Sequence, residues 1–290
     1  MRCLFCKSEN ITHSSYPRKT KFNGKIFNYK KCKECGLVFI DPLPNDEDFS
    51  KMYSLEYHDH FYFENKPSED YSWIYDLIKK YGMHGKSVVD YGCGDASLLA
   101  FLLLKGFTCI GVEYDPENVT RLRDKNKDIL FLTVDEFWQE NVKADVFYTG
   151  DVLEHLTDPS GFLDKGKHKL NKEGIFIARG PLENNKSLGL YSRKAISSGK
   201  SLINSDAVSE HIPYHITFSN VRNQERFFQN AGLKTLFYKI SETAWPYPHK
   251  FTLRPLSFFY YLVGKMSIFI SNANRKSGNR FVYVGKNNLE

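Results

Sequence analysis

The stretch VVDYGCGDASLLAFLLLKG, residues 88–106, constrains the fold more than any other part of the chain. Two β-branched residues and an acid come directly before Gly92 and Gly94, and an apolar run with helical character follows. Glycine lacks the Cβ atom that would block close approach of a ligand to the backbone, and the amides that open a helix attract anions. The stretch therefore predicts a strand, a ligand-binding turn and a helix in direct succession.

The chain around and after this turn alternates between strand and helix patterns. Strand candidates are SVVDY, TCIGVEY, DILFLTV, ADVFYTG and GIFIARG, and two more, LKTLFYKIS and NRFVYVGK, lie near the carboxyl terminus. Alternation of this kind is typical of a parallel sheet with helices on both faces. We therefore predict an α/β fold for residues 85–290, with a doubly wound, mostly parallel sheet of seven strands.

Acidic residues stand at or just after the ends of the first three predicted strands. Ligands of doubly wound sheets lie at the carboxyl ends of the strands. Glu113, twenty-one residues after Gly92, could accept both hydroxyls of a ribose. Asp135 could accept the exocyclic amine of an adenine, and the alternative is that it caps the next helix. Together with Asp90, these acids predict an adenosine-bearing ligand, whereas the full G-x-G-x-x-G of a dinucleotide site is absent.

Four of the six cysteines form two C-x-x-C pairs, Cys3 with Cys6 and Cys32 with Cys35. Two such pairs supply four thiolates, which is the preferred tetrahedral ligand set of structural Zn²⁺. A redox dithiol is the alternative, but it needs only one pair. We therefore predict a zinc ribbon at the amino terminus, with zinc in a structural role.

Four stretches together resemble class I S-adenosylmethionine-dependent methyltransferases: VVDYGCGDAS, GVEYDP, LTVDEF and ADVFYTGDVLEHLTDP. The resemblance covers about residues 80–290 and departs from the family at Ala96, where a third glycine is usual. The cysteine-rich ribbon and the following CGLVFIDPLP narrow the resemblance to bacterial enzymes that modify sugars and glycans. These include deoxysugar C-methyltransferases, whose larger C-terminal domain is missing here.

The resemblance implies a Rossmann-like methyltransferase sheet and assigns roles at the cofactor site. Asp90, Gly92 and Gly94 would line the methionine end of S-adenosylmethionine, Glu113 would hold the ribose, and Asp135 would face the adenine.

A first cluster of candidate catalytic groups, in DVLEHLTDP, follows the fourth strand beside the methyl group in this fold. His155 could be a base, a metal ligand or a structural residue, and Asp151 is also a candidate for the cofactor site. The spacing of Asp151, Glu154 and His155 resembles the E-x-x-E-H metal site of ubiquinone-type O-methyltransferases and small-RNA 2'-O-methyltransferases. Such a site would imply Mg²⁺ or Mn²⁺, although aspartate reaches less far than the first glutamate of that motif.

A second cluster lies in SEHIPYHITFSN and resembles the family's Glu-His segment that closes over the acceptor. A histidine of such a segment is the general base in the deoxysugar C-methyltransferases. His211, preceded by Glu210, matches it best, and His215 is the competitor. The structural alternative is that one histidine is packed and the other exposed.

Two insertions complete the predicted large domain. Residues 181–219 have the polarity of an acceptor loop, and their cations would suit a phosphate-bearing acceptor; these are Lys186, Arg193, Lys194 and Lys200. Residues 245–275 contain LSFFYYLVGKMSIFIS, for which we predict a packed helix, with a lid or a surface that contacts a membrane peripherally as alternatives.

Composition and charge limit the remaining functions. The net charge of +6 is mild and diffuse, so it does not indicate a nucleic-acid partner. No secretory segment opens the sequence and no apolar run is long enough to span a bilayer, so we expect a cytoplasmic protein. We expect a zinc-binding ribbon over residues 1–45, a connector and lead-in helix over 46–84, and an enzyme that methylates a sugar or glycan at oxygen. Alternatives are an RNA 2'-O-methyltransferase, a C- or N-methyltransferase of a small metabolite, and a non-catalytic scaffold.

Overall fold

The computed structural model describes residues 1–17, 19–53, 70–82, 85–203, 208, 211–243, 254–274 and 276–287. Three features predicted from the sequence lie outside these residues: most of the connector (54–69), Glu210, and the first part of the C-terminal insertion (245–253).

The amino-terminal ribbon is an antiparallel sheet that includes a strand from the large domain. Its own strands are β1 (Ile11–His13), β2 (Lys19–Phe22), β3 (Lys25–Cys32) and β4 (Val38–Asp41). The fifth strand, β10 (Thr217–Phe218), pairs antiparallel with β4. The ribbon sheet therefore continues into the segment that carries the second cluster of candidate catalytic groups.

Two helices lead from the ribbon toward the large sheet. Helix α1 (Asp46–Met52) begins at Asn45, whose side chain accepts the amide of Asp48 in a capping box. Helix α2 (Ser72–Tyr81) ends at Gly82 as predicted, and it buries Ile74 and Ile78 against the sheet.

The large sheet has seven strands, as predicted. They are β5 (Ser87–Tyr91), β6 (Thr108–Glu113), β7 (Leu130–Thr133), β8 (Ala144–Gly150), β9 (Leu170–Pro181), β11 (Leu233–Ser241) and β12 (Arg280–Asn287). Their order is β11-β12-β9-β8-β5-β6-β7. Strands β5 to β9 are mutually parallel, and β12 runs antiparallel to both of its neighbours. The strand order reverses between β5 and β8, so ligands are expected at the carboxyl ends of these two strands.

Helices cover both faces of this sheet. They are α3 (Ser97–Leu104), α4 (Pro116–Lys125), α5 (Val134–Gln139), α6 (Pro159–His168), α7 (Leu188–Ile203), α8 (Val221–Asn230) and α9 (Pro255–Ala273). Alternating residues of the strands divide the core into two clusters. Val88 packs with α2, α3 and α4 on one face, and the neighbouring Val89 packs with α5, α6 and α8 on the other.

Helix α7 lies where the sequence suggested a polar loop. The side chain of Ser187 accepts the amide of Leu190 at 3.1 Å, and Leu190 is buried. A serine before the first turn and one buried leucine are enough to start this helix, despite its many serines and glycines.

The ribbon packs directly on helices of the large domain. The rings of Phe5 and Phe227 stack with centroids 4.0 Å apart. Nδ2 of Asn223 donates to the carbonyl of Cys35, and Oγ of Ser160 donates to the carbonyl of Leu4. The ribbon is therefore fixed against α6 and α8.

Candidate functional site

The turn after β5 contains two glycines with positive φ. Gly92 has a φ of +81° and Gly94 a φ of +57°, in the left-handed region that glycine adopts without steric penalty. A Cβ atom on Gly92 would also lie 2.5 Å from Cγ2 of Val152, in the loop after β8. The turn after β5 and the loop after β8 are therefore in direct contact, where the strand order reverses.

Glu113, at the end of β6, holds this turn in place. Its Oε2 accepts the amide of Gly94 at 2.8 Å, and its Oε1 accepts the amide of Tyr114 at 2.7 Å. Nδ2 of Asn118 donates to the carbonyl of Gly94 at 3.0 Å. A carboxylate is also the kind of acceptor that the hydroxyl groups of a ribose require.

The other two acids of the predicted cofactor site differ in exposure. Asp90 is buried near the end of β5, whereas Asp135 is exposed in the first turn of α5. The N-cap of α5 is Thr133, so the alternative role of Asp135 as a cap is wrong. Because Glu113 pairs in register with Thr133, the Asp135 carboxylate lies at the same edge of the sheet as Glu113.

Ala96 occupies a strained position at the start of α3. Its φ is +61°, a left-handed conformation that costs a residue with a Cβ atom about 1–2 kcal/mol. This backbone geometry is the physical reason why a glycine is expected there. Ala96 adopts this left-handed conformation despite its Cβ atom.

Asp151, in the loop after β8, forms ion pairs with two arginines. Its carboxylate contacts Arg280 and lies 3.3 Å from Nε of Arg179. Burial alone would raise the pKa of Asp151, but the charges of Arg280 and Arg179 outweigh it and lower the pKa. The carboxylate is thus ionised and bound to guanidinium groups. Asp151 is therefore not placed as the first ligand of the predicted D-x-x-E-H metal site.

The same two arginines line a cavity of about 370 Å³ between α2 and the ends of β9, β11 and β12. The guanidinium of Arg179 lies over the ring of Trp73, 5.8 Å from its centroid. Lys239 adds a third cation to the lining. The cavity therefore combines positive charge with aromatic walls.

The two predicted clusters of catalytic candidates meet at the carboxyl end of β8. The rings of His155 and His215 lie edge to face with centroids 4.8 Å apart. The amide of Ile216 donates to the carbonyl of Glu154 at 2.6 Å, which holds the two segments side by side. His155, Glu154 and His215 thus belong to one site.

His215 is paired with a carboxylate that the sequence did not indicate. Its Nδ1 lies 2.8 Å from Oε2 of Glu183, which follows β9. Burial disfavours the imidazolium, but Glu183 and, more weakly, Glu154 and Asp151 outweigh burial and raise the pKa of His215 to about 9. Burial would raise the pKa of Glu183, and the His215 charge lowers it below its usual range instead.

His155 is held in a structural network. Its Nδ1 lies 2.7 Å from the hydroxyl of Tyr53 and 2.9 Å from the carbonyl of Tyr214. Burial, reinforced by the charge of His215, lowers the pKa of His155 to about 3, so the ring is neutral. The tautomer decides whether Nδ1 accepts from the Tyr53 hydroxyl or donates to the Tyr214 carbonyl, and either bond holds the ring in this position.

Glu154 is a buried acid whose ionisation is suppressed. Burial and then the neighbouring Asp151 raise its pKa to about 8. Glu154, His155 and His215 place three donor atoms within 4.8 Å of one another. Two imidazoles and one carboxylate match Mg²⁺ poorly, because Mg²⁺ prefers oxygen ligands and retains several waters. The donor set therefore does not support the predicted Mg²⁺.

His211 lies apart from this pair, against the ribbon. The hydroxyl of Thr20, on β2, donates to the carbonyl of His211 at 2.7 Å and lies 3.5 Å from its Nδ1. Partial burial lowers the pKa of His211, so the imidazole is neutral at neutral pH. His211 remains accessible to an acceptor on its exposed side.

All four cysteines of the two C-x-x-C pairs meet in the ribbon. Their sulfur atoms lie within 4.8 Å of one another, with Cys3 and Cys35 3.5 Å apart and Cys6 and Cys32 3.6 Å apart. A tetrahedron of Zn–S bonds of about 2.3 Å has edges of about 3.8 Å. The four sulfurs therefore fit a structural zinc ion.

The two cysteine turns share one local geometry. Lys7 and Gly36 each follow the second cysteine of a pair with a positive φ, +58° and +77°. Their amides return to the carbonyls of Cys3 and Cys32, both at 3.0 Å. Each turn therefore directs both of its sulfurs toward one point.

Sequence reasoning missed Glu183, Tyr53 and the two arginines. Glu183 stands in GPLENN just after the fifth strand, the same strand-end position that identified Glu113, so the pattern could have found it. No local signal marked Tyr53 or Arg280, because their partners are more than one hundred residues away in sequence.

The model of one protein family matches residues 37–236, more than half of the chain, and its description is a methyltransferase domain. Two curated relatives are ubiquinone biosynthesis O-methyltransferases. The one from Actinobacillus pleuropneumoniae serotype 5b (strain L20) is 29% identical over 110 residues, which is 34% of this chain and 47% of that protein. The one from Vibrio atlanticus (strain LGP32) is 30% identical over 96 residues, 31% of this chain and 40% of that protein. The chain thus matches less than half the length of either relative.

Solved structures with a similar fold include two methyltransferases. Magnesium protoporphyrin IX methyltransferase from Synechocystis PCC 6803 with bound SAH has a TM-score of 0.47 at 17% identity, over 74% of this chain and 80% of that one. The plantazolicin methyltransferase BamL has a TM-score of 0.48 at 12% identity, over 83% of this chain and 88% of that one.

Proposed function

Because this chain belongs to the methyltransferase domain family, we propose that it transfers the methyl group of S-adenosylmethionine to a hydroxyl group of a sugar or glycan in the cytoplasm. One observation carries the proposal. The glycine turn held by Glu113 touches the loop that presents Glu154 and His155, through the contact of Gly92 with Val152. A cofactor in the turn would therefore lie beside the loop that packs against His215, the base assigned below.

The residues of the turn suit the proposed cofactor. Gly92 and Gly94 would keep Cβ atoms away from the methionine portion, the Glu113 carboxylate would accept the ribose hydroxyls, and the buried Asp90 carboxylate would bind the ammonium group. Asp135 is the proposed acceptor for the adenine amine. S-adenosylmethionine supplies an electrophilic methyl group on a sulfonium, so the protein has to align the acceptor and remove one proton.

We assign proton removal to His215, oriented by Glu183. The neutral imidazole takes the proton of the acceptor hydroxyl through Nε2 while its Nδ1 stays bonded to Glu183. The acceptor oxygen then forms a bond to the methyl carbon as the carbon–sulfur bond breaks and S-adenosylhomocysteine leaves. His211 is the competing base, since its imidazole is neutral and accessible.

The cavity beside Asp151 supports an acceptor that carries phosphate. Arg179 and Arg280 share the one carboxylate of Asp151, and Lys239 adds a third cation to the lining. Arginine offers paired donors to phosphate oxygens. Trp73 provides an apolar face for a ring. In this proposal Asp151 positions the two arginines. It does not make the contact to the cofactor that the sequence predicted.

We also propose that Cys3, Cys6, Cys32 and Cys35 hold one structural Zn²⁺. The four sulfurs support this ligand set, and four protein ligands leave no open position for chemistry. A reducing cytoplasm would keep these thiols available to the metal.

A second candidate acceptor is a phenol. The partial relatives are ubiquinone biosynthesis O-methyltransferases, which favours an aromatic hydroxyl as the methylated group. The same base and cofactor residues would serve either acceptor.

The test is formation of S-adenosylhomocysteine by the purified chain with three acceptor panels: nucleotide sugars, catechols and RNA. Product with nucleotide sugars alone supports the proposal, and product with catechols alone supports the second candidate. His215→Gln should reduce the rate by about 10²- to 10⁴-fold. His168→Gln, an exposed histidine at the end of α6, is the matched control and should leave the rate unchanged.

A further inference from the structure

Helix α9 buries three small residues and exposes five of its large apolar ones. Gly264, Ser267 and Ser271 recur at helical spacing and face the protein. Helices on the surface of a globular domain normally bury large apolar side chains. In α9 this arrangement is reversed.

The opposite side of α9 carries a continuous apolar stripe. Phe259, Leu262, Met266 and Phe269 follow one another at spacings of three and four residues and are 55%, 44%, 51% and 69% exposed, and Phe258 adjoins them. Five of the twelve exposed large hydrophobic side chains among the described residues lie on this one helix. Single exposed apolar residues are ordinary, but a stripe of this length marks a surface that contacts something apolar.

Contacts at the carboxyl end of α9 fix its orientation. Oγ of Ser271 donates to the carbonyl of Ser277 at 2.5 Å, and Nδ2 of Asn185 donates to the carbonyl of Gly278 at 2.8 Å. The helix also packs beside α7. These bonds hold the serine side toward the protein, so the apolar stripe cannot turn inward without breaking them.

The charge around the stripe favours an anionic partner. Helix α9 contains no aspartate or glutamate, and its N-cap residue is Arg254. Lys265 is exposed beside the stripe and lies over the ring of Tyr261, 5.4 Å from its centroid. Two copies of the chain packed about a twofold axis through the stripe would bring two Lys265 side chains together with no acid on α9 to offset them.

We propose that the α9 stripe binds the surface of an anionic lipid bilayer, with α9 lying in the plane of the interface. Apolar side chains of an interfacial helix enter the boundary between head groups and acyl chains, and flanking cations bind anionic head groups. None of the helices in the described part of the chain combines the length and apolarity needed to cross a bilayer. A helix that lies in the plane of the interface would bring membrane-bound acceptors to the enzyme.

The experiment is cosedimentation of the full chain with vesicles of phosphatidylcholine alone or mixed equally with phosphatidylglycerol. The chain should sediment with the anionic vesicles, and added salt should weaken binding. Phe269→Glu should lower vesicle affinity by about tenfold or more. The matched control is Leu104→Glu, at an 87% exposed leucine on α3, which should bind as the wild type does.

Three results would overturn the proposal: no sedimentation with anionic vesicles, equal sedimentation with both vesicle types, or unchanged binding of Phe269→Glu. A wild-type dimer that Phe269→Glu converts to a monomer would show that a second copy covers the stripe. Thermal unfolding of each variant checks that its fold is intact. Since vesicle binding is measured without substrate, it can fail or succeed independently of methyl transfer.

Discussion

Oε2 of Glu183 lies 2.8 Å from Nδ1 of His215, which makes these two residues a carboxylate–imidazole pair beside the loop after β8. Together with nearby acids, the carboxylate outweighs the burial of the ring and raises the pKa of His215 to about 9. An imidazole must be neutral to accept a proton, so the pKa of His215 predicts how the reaction rate depends on pH.

If His215 is the base, kcat/KM should rise about tenfold per pH unit below the pKa of His215 and level off near pH 9. The fraction of neutral imidazole grows in that proportion as pH increases. If His211 is the base, its lowered pKa predicts a profile that is already flat at neutral pH. Initial rates at fixed cofactor concentration across this range distinguish the two histidines.

Glu183→Gln should move the rising limb of that profile to lower pH. The substitution removes the negative charge that raises the pKa of His215, while an amide oxygen can still accept from Nδ1. Glu173→Gln, at an exposed glutamate on β9, the strand that leads to Glu183, is the control and should leave the profile in place. If the rate of Glu183→Gln still rises up to about pH 9, the Glu183–His215 pair does not take part in catalysis.

Loss of the proposed zinc ion should reduce methyl transfer even though the ribbon is far from the glycine turn in sequence. Cys32→Ser should release the metal and loosen β4, which pairs with β10, and β2, whose Thr20 bonds His211. Misplacement of the acceptor segment by about 1 Å costs on the order of 10²-fold in rate. Metal content by mass spectrometry and kcat/KM would be measured together, with Cys109→Ala as the control that keeps its zinc.

The cavity beside Asp151 predicts a selective effect on acceptor binding. Lys239→Gln should raise KM for a phosphate-bearing acceptor by roughly tenfold, because one charged donor is lost, and should leave kcat nearly unchanged. Lys234→Gln, on the same strand but outside the cavity, is the matched control. If both variants raise KM equally, Lys239 acts only through the net charge of the protein and does not contact the acceptor.

Most of the fold could be predicted because its strands and its cysteine turns are each determined by residues close together in the sequence. Periodic apolar residues identified all seven strands of the large sheet, and cysteine spacing identified the four sulfurs that meet in the ribbon. Glu113 was found because a strand end and a glycine turn fix its position relative to each other.

The parts that could not be predicted depend on distant segments. Asp151 is bound by Arg280 from the last strand, and Tyr53 contacts His155 from the end of α1. The composition of α9 suggested a packed helix, but only the structure shows that Ser267 faces inward while Phe269 faces out. No short sequence pattern determines these contacts or the orientation of α9.

The central claim is that the glycine turn held by Glu113 binds S-adenosylmethionine, and calorimetric titration tests it most directly. The zinc-containing chain should bind S-adenosylmethionine and S-adenosylhomocysteine with micromolar affinity, about −8 kcal/mol. Glu113→Ala should abolish measurable binding, since it removes the acceptor of the Gly94 amide and the proposed ribose contact together. Glu117→Ala, at an exposed glutamate on α4, should bind normally. Absence of binding by the wild type, or unchanged binding by Glu113→Ala, would contradict the account.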